Sequence, residues 1–250
     1  MPFQVSTLAA LQATLAQRVD GSVFWTPEEA RLALNETLRD WNLLVGRWRA
    51  TLTLSTAAPA AGVPTVEYAL GATLIYGTRV KVGSAPALTP TSIFELDYGR
   101  PSWRYETTAT GGDVPTAPLL WAPISLQRIA IWPATATAGS NDLLVEGVAA
   151  TPVLVHAGDF VDLSEAVVDL VVDFALHVLA FKEGGARFAA TQDTLTDFLQ
   201  AAAEENGLLK ASQAFRRYAG LDRRRDLQKS KDAPNKVAEL LAPPAPAPAP

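Results

Sequence analysis

The most informative hydrophobic pattern of this sequence lies between Val161 and Phe181. Nearly every position there is apolar, yet polar residues recur at three- or four-residue intervals. They are Asp162, Glu165, Asp169, Asp173 and His177. On an α-helix these residues form one narrow stripe, while valine, leucine and phenylalanine cover most of the remaining surface. Such a helix is buried, and we expect it to pack between helices of its own chain and of a neighbouring chain.

The first part of the chain has the spacing of two helices, the first over residues 6–18. The second begins after Thr26, which caps the free N–H groups, while Pro27 fits the first helical position and Glu29 completes a capping box. Its predicted buried face consists of Ala30, Leu34, Leu38, Trp41 and Val45. Gly46 is expected to end it.

The middle of the chain has alternating polar and apolar positions, β-branched runs and frequent proline and glycine, which predict strands joined by turns. Candidate strands are 48–55, 65–70, 72–76, 92–98, 102–108, 125–132, 142–148 and 151–156. Turns are predicted at 110–113 and 138–141. In the segment Tyr98-Gly99-Arg100-Pro101-Ser102-Trp103, Gly99 allows a sharp turn and Pro101 fixes the backbone, so we expect a tight hairpin whose next strand begins at Trp103.

The last part is helical again, with helices predicted at 163–183, 191–206 and 208–219, each followed by glycine. The fold class is therefore α+β. Residues 1–47 and 157–222 are predicted to form a bundle of helices, and residues 48–156 an inserted antiparallel β-domain of sandwich or barrel-like form. Residues 223–250 are expected to be a disordered tail, basic and then rich in Pro and Ala.

Charge is distributed unevenly along the chain. Residues 209–236 contain nine Lys or Arg against three Asp and carry +6, so that the rest carries −11 of the net charge of −5. We expect the basic segment either to dock on an acidic partner or nucleic acid, or to be a solvated tail, whereas the acidic body would repel nucleic acid.

Composition also excludes several chemistries. The chain has no cysteine, which rules out disulfides and thiolate metal sites, and two histidines are too few for a His-based zinc site. We expect no metal and no cofactor. Charges interrupt the long apolar stretch, so no membrane span is expected, and the N-terminus lacks a signal-peptide pattern.

Catalytic motifs are missing from the sequence: it has no phosphate-binding glycine loop, nucleophile elbow or helical His-Glu-x-x-His pattern. The acidic stripe could supply paired carboxylates or bind a hard cation, but carboxylates on one straight helix need further ligands. Alternatively it is a polar seam facing water or arginines of a neighbouring subunit. We assign Asp169, Asp173 and His177 to such a subunit interface.

Several motifs follow one another in a recognisable order. They are the N-terminal helix pair, the Tyr98–Trp103 turn, a strand ending in Ile129-Ala130-Ile131-Trp132-Pro133, a second strand ending near Thr151-Pro152-Val153, and a long helix from Leu163 with a Gly184-Gly185 stop. This order, over roughly residues 5–220, resembles the neck proteins of tailed bacteriophages, specifically the head-to-tail adaptors that form a ring beneath the portal. The β-rich part distinguishes this chain from the smaller, almost purely helical adaptors.

The resemblance implies a non-enzymatic structural protein of the virion neck, linking capsid to tail. It implies a homo-oligomeric ring of about twelve subunits around a channel through which DNA passes without sequence specificity. The implied partners are the portal protein and the next tail or neck protein. The residues expected to dock on the portal are Arg216, Arg217, Arg223, Arg224 and Arg225, although this basic cluster would also fit DNA phosphates.

Two other functions stay open. The β-domain could bind a carbohydrate or receptor if Trp103, Trp121 and Trp132 are exposed, because aromatic faces stack on sugars and dominate interfaces. A hydrolase using two carboxylates such as Asp97 and Glu106 is the third interpretation, although nothing in the sequence brings them together.

Overall fold

The computed structural model describes residues 5–19, 24–60 and 62–218 of the 250-residue chain. The helices are α1 (Leu8–Arg18), α2 (Pro27–Val45), α3 (Ile93–Gly99), α4 (Glu165–Glu183), α5 (Gly185–Ala190), α6 (Gln192–Glu205), α7 (Gly207–Ala211) and α8 (Gln213–Tyr218). The strands are β1 (Val5–Thr7), β2 (Arg49–Leu54), β3 (Tyr68–Ala69), β4 (Leu74–Val82), β5 (Thr89–Pro90), β6 (Leu120–Ser125), β7 (Arg128–Trp132), β8 (Leu143–Ala149) and β9 (Phe160–Asp162). The described chain is thus mixed α+β. The predicted tail, residues 223–250, lies outside the described residues.

Helices from before and after the β-rich part share one apolar core. α1, α2, α4 and α6 contribute, among others, Leu11, Leu34, Trp41, Val171 and Phe198. The Phe198 ring meets Trp41 edge to face, with centroids 5.4 Å apart, and stacks on Phe174 at 4.1 Å. Antiparallel pairing of β1 with β9 ties the N-terminal strand to the segment that enters α4.

The predicted apolar helix is α4, and its own chain covers it. Val171, Val172 and Ala175 have no exposed surface, because α1, α2 and α6 pack around them. Phe181 near the end of the helix is exposed. Helices of the same chain thus bury most of α4, and its predicted packing against a neighbouring chain stays a prediction.

The local signals predicted for α2 are confirmed. Glu29 N–H donates to Thr26 Oγ1 at 3.2 Å, and the Glu29 carboxylate accepts from Thr26 N–H at 2.9 Å, which is the capping box. Gly46 ends the helix in the left-handed conformation, with φ of 69°.

Two sheets face each other over a second core. In the first sheet β8 lies between β2 and β4, and all pairings are antiparallel. The second has the order β3-β7-β6-β5, with β5 parallel to β6. The predicted barrel form is wrong for the described residues, because none of their sheets closes on itself.

Strand β7 is buried on both faces, which explains why it reads as a continuous apolar run. Ile129 and Ile131 point into the core between the sheets, while Ala130 and Trp132 point into a third core on the opposite face. Leu96 of α3 belongs to this third core. Helix α3 therefore lies on the outer face of the second sheet.

The predicted strand at 92–98 is wrong, because these residues form α3. Ser92 Oγ accepts from Glu95 N–H at 3.1 Å and the Glu95 carboxylate accepts from Ser92 N–H at 2.9 Å, so a second capping box starts a helix. The predicted strand at 102–108 is also wrong: a 3-10 turn spans Trp103–Tyr105, and no hairpin forms at Gly99.

Other boundaries differ for identifiable reasons. Residues 151–156 form no strand, because the Asn35 side chain of α2 binds the backbone of Leu154, accepting from its N–H at 2.8 Å and donating to its carbonyl at 2.9 Å. The segment 125–132 contains a turn that separates β6 from β7, and residues 208–219 are divided into α7 and α8 at Ser212.

Candidate interaction surface

The carboxylates of the acidic stripe bind an arginine of their own chain. Arg18, at the end of α1, donates through Nη2 to Asp169 Oδ1 at 2.6 Å and through Nη1 to Asp173 Oδ1. Arg18 Nη1 also donates to the Asp169 carbonyl at 3.2 Å. A polar seam is thus present, but the arginine that meets it belongs to the same chain. A subunit-interface role for Asp169 and Asp173 stays a prediction.

His177 lies inside the chain. It is only 6% exposed, and its ring stacks between Phe174 and Phe188, with centroid distances of 5.7 and 4.9 Å. Its Nδ1 lies 2.9 Å from Thr191 Oγ1, and the Thr191 hydroxyl donates to the Phe188 carbonyl at 2.9 Å. Because that hydroxyl hydrogen is used, Nδ1 is the donor to Thr191.

Burial lowers the pKa of His177, against the opposing effect of its hydrogen bond with Thr191. The neutral imidazole therefore joins α4 to the connection between α5 and α6. The structure places this side chain in a core and not on a surface open to another subunit.

Only part of the predicted basic cluster falls within the described chain. Arg216 and Arg217 lie on α8, where Arg217 is exposed and Arg216 is half-buried. Arg223, Arg224 and Arg225 lie outside the described residues. Portal docking by this cluster stays a prediction.

The most unusual surface feature is a pair of aromatic residues on α3. Phe94 is 85% exposed and Tyr98 is 93% exposed. Four residues apart, they occupy one face of the helix. Tyr105, which follows in the 3-10 turn, is also exposed. We call Phe94 and Tyr98 the aromatic pair.

A charge network around the buried Glu106 holds the backbone that follows this pair. Glu106 Oε2 accepts from Arg100 Nε at 2.7 Å and from Trp132 Nε1 at 2.8 Å, while Oε1 accepts from Ser102 Oγ at 2.6 Å. Arg100 also binds Asp113 at 2.8 Å, and its guanidinium lies 4.9 Å from the Trp132 ring centroid. Burial opposes ionisation of Glu106, but the bonds from Ser102, Trp132 and Arg100 outweigh it and lower its pKa.

Trp103 anchors the same segment from the other side. It is fully buried, and its indole N–H donates to Asp97 Oδ1 at 2.7 Å. Arg104 covers its ring, at 4.6 Å from the centroid. Helix α3 and the turn after it are thus attached to β7 through buried side chains, so the exposed aromatic pair stands on a fixed support.

The three tryptophans considered for sugar binding are all buried. Trp103, Trp121 and Trp132 are 0%, 5% and 7% exposed, so they form core and cannot stack on a ligand. The carboxylates considered for hydrolysis are engaged as acceptors. Since the pKa of Glu106 is lowered, Glu106 is also poorly suited to act as a general acid.

An apolar cleft lies between α1, α2 and the end of α4. It has a volume of about 420 Å³, and its walls include Ala13, Ala16, Trp25, Ala30 and Leu179. Beside it, the Lys182 ammonium lies 5.4 Å from the Trp25 ring centroid and binds Glu29. This ion pair and the Thr26 hydrogen bonds lower the pKa of Glu29 to about 2.

The aromatic pair and the cleft were not predicted as sites. The sequence pattern predicts a strand for Phe94 and Tyr98, and in a strand the four-residue spacing does not define a separate surface. The signal that could have found them is Ser92 followed by Glu95, the same capping pattern that marked α2. The cleft joins residues from three helices, and no local pattern marks it.

No metal centre emerges in the part of the chain that the structure describes, where no three His, Asp or Glu side chains are grouped to hold an ion. Among the described helices, none is long and apolar enough to cross a membrane. Comparison of the sequence with protein-family models and with curated proteins finds no match.

Proposed function

We propose that this protein is a non-enzymatic assembly subunit, and specifically a head-to-tail adaptor of a tailed bacteriophage. In this proposal about twelve copies form a ring below the portal in the virion neck, around the DNA channel. The bundled helices α1, α2, α4 and α6 form the ring wall, and the two facing sheets form a sandwich-like insert.

The observation that carries the assembly part of the proposal is the aromatic pair, while the adaptor identity comes from the resemblance in the order of sequence motifs. Phe94 and Tyr98 are both more than four-fifths exposed, and aromatic side chains are enriched in protein contact surfaces. The Glu106 network fixes the backbone that follows Phe94 and Tyr98, so little backbone entropy is lost there when a partner binds. Asp97 and Glu106, the carboxylates considered for hydrolysis, instead hold the segment around α3 in place.

The experiment that tests ring formation is the solution mass of the full chain by light scattering, with negative-stain imaging of the same sample. We expect one closed species of about twelve times the 26.6 kDa chain mass, with a central hole. A single-chain mass at every protein concentration, unchanged by chemical cross-linking, would contradict the proposed ring.

Portal binding is a separate part of the proposal. The change R223E/R224E/R225E reverses the charge of the basic segment, and we expect loss of binding to the portal protein of the same phage with an unchanged circular dichroism spectrum. Arg39→Glu, an exposed arginine on α2, is the matched control. Portal binding retained by the triple variant would refute docking through these arginines.

The exposed aromatic pair also supports the carbohydrate- or receptor-binding alternative, whereas the buried Trp103, Trp121 and Trp132 do not. Tyr98 and Phe94 could stack on a sugar ring. A single-chain mass together with oligosaccharide binding that disappears in F94A/Y98A would favour this alternative over the adaptor.

A further inference from the structure

We infer that the aromatic pair of one copy inserts into the apolar cleft of the next copy. This inference rests on the proposed ring and names the contact that builds it. One chain carries both a protruding apolar group and an apolar recess, and joining them between copies covers both.

A single copy cannot make this contact with itself. The cleft lies at the first turns of α2, since Pro27 and Ala30 line it. The β-rich part is attached at the other end of this 19-residue helix, where Asn42 Nδ2 donates to the Ala149 carbonyl at 2.9 Å. At about 1.5 Å of rise per residue, more than 20 Å of helix separates the two ends.

The recess has a suitable size and lining for aromatic side chains. Its volume of about 420 Å³ lies in the range of roughly 300–1,000 Å³ that holds small organic ligands, so it accepts one or two rings. Ala13, Ala16 and Ala30 have small side chains that leave space in the recess, and Trp25 lines it with an aromatic ring. Such a recess fits a large side chain from outside.

Polar groups beside the two surfaces also match. Asp97, next to Tyr98, accepts from Trp103 through Oδ1 and still keeps half of its side chain exposed. Lys182 beside the cleft is also half exposed, and its bond to Glu29 uses one of its three ammonium hydrogens. An ion pair between Asp97 of one copy and Lys182 of the next would fix the orientation of the contact.

The contact is heterologous, because two different surfaces meet, and repetition of a heterologous contact generates a ring when the rotation closes. Two aromatic side chains bury roughly 300–500 Å² per copy, below the about 800 Å² per partner of a standard interface. Each subunit makes the contact twice in a ring, so we expect the closed ring to be far more stable than an isolated pair.

The test uses two variants of the full chain, each lacking one surface. F94S/Y98S removes the aromatic pair, and A13R/A16R blocks the cleft from exposed positions of α1. For each variant alone, we expect the dissociation constant of self-association to rise at least about tenfold. A one-to-one mixture should form heterodimers only, because one intact pair meets one intact cleft.

Matched controls are Leu126→Ser, another exposed apolar residue, and Ala10→Arg, an exposed α1 position that does not line the cleft and is turned about 120° from Ala16 around the helix. Both should assemble as the unchanged chain does. Circular dichroism of all variants checks that they are folded.

Each outcome separates this contact from the proposed function. If the unchanged chain forms a ring and both variants do too, the contact is wrong while the ring stands. If only the cleft variant assembles, α3 contacts another surface, and the inference is also wrong. A single-chain mass for the unchanged protein at every concentration overturns both.

Discussion

The indole N–H of Trp132 donates to Glu106 Oε2, the same oxygen that accepts from Arg100, at distances of 2.8 and 2.7 Å. Trp132 ends strand β7, and Glu106 follows the 3-10 turn after α3. One buried carboxylate therefore attaches the segment that carries the aromatic pair to the second sheet. The surface proposed for assembly depends on this bond for its fixed position.

Replacing Glu106 with glutamine should destabilise the protein by about 2 kcal/mol, because the charge-assisted bonds to Arg100 and Ser102 are lost or weakened in a buried site. Urea unfolding followed by tryptophan fluorescence measures this. Glu67→Gln, which removes a more exposed ion pair with Arg128, should cost less than about 1 kcal/mol. Equal losses for the two variants would show that the Glu106 network adds no special stability.

His177 makes stability depend on pH. Its pKa is lowered in the folded chain, so the unfolded chain takes up a proton first as the pH falls below 6.5. Part of the free energy of unfolding that is present above pH 6.5 should therefore be lost as the pH falls from 6.5 to the lowered pKa. The slope should be less than about 1.4 kcal/mol per pH unit.

His177→Phe keeps an aromatic ring in the stack and removes the titration, so this loss should disappear from unfolding curves measured between pH 8 and 5, a range of roughly three units around the histidine pKa. His156→Gln changes the other histidine, which is exposed, and should keep the loss. The same slope in His177→Phe and the unchanged chain would assign it to another group.

The success of sequence reasoning depended on how local the deciding contacts are. The ends of α2 follow from Thr26, Glu29 and Gly46, all adjacent to the helix they delimit. The strand predicted at 92–98 overlooks an equally local signal, the capping box of Ser92 and Glu95.

Contacts between distant residues could not be predicted. Arg18 meets Asp169 across 151 positions, and no pattern in the acidic stripe shows that its partner is in the same chain. The packing around α4 is a similar case. Its apolar sequence correctly predicts burial, but it does not show that helices of the same chain bury most of its surface. The Glu106 network depends on the turn after α3, where the sequence pattern predicts a strand.

The acidic stripe binds Arg18 of its own chain and is also predicted to form a subunit interface, and the same variants test both roles. Asp169→Asn with Asp173→Asn removes the partners of Arg18, and because these side chains are partly exposed, the loss in unfolding free energy should be below about 1 kcal/mol and shrink at high salt. Glu165→Gln, on the same stripe, is the control. A fall in oligomeric mass without a loss of chain stability would instead support the subunit-interface assignment.

Gly147 of β8 pairs with Gly77 of β4 beside a shift in the pairing register, and there is no room for a side chain at position 147. A Cβ at this position would lie 2.2 Å from the Tyr76 carbonyl oxygen and 3.0 Å from Gly77 Cα, both of which are backbone atoms. Gly147→Ala should therefore cost about 1–3 kcal/mol, because the strands must separate to admit the methyl group. At Gly158 no atom lies within 4 Å of an added Cβ, so Gly158→Ala should change stability by no more than about 0.5 kcal/mol. Thermal unfolding of the two variants side by side measures the difference, and a Gly147→Ala protein as stable as the Gly158→Ala protein would mean that the β4–β8 pairing adjusts without loss.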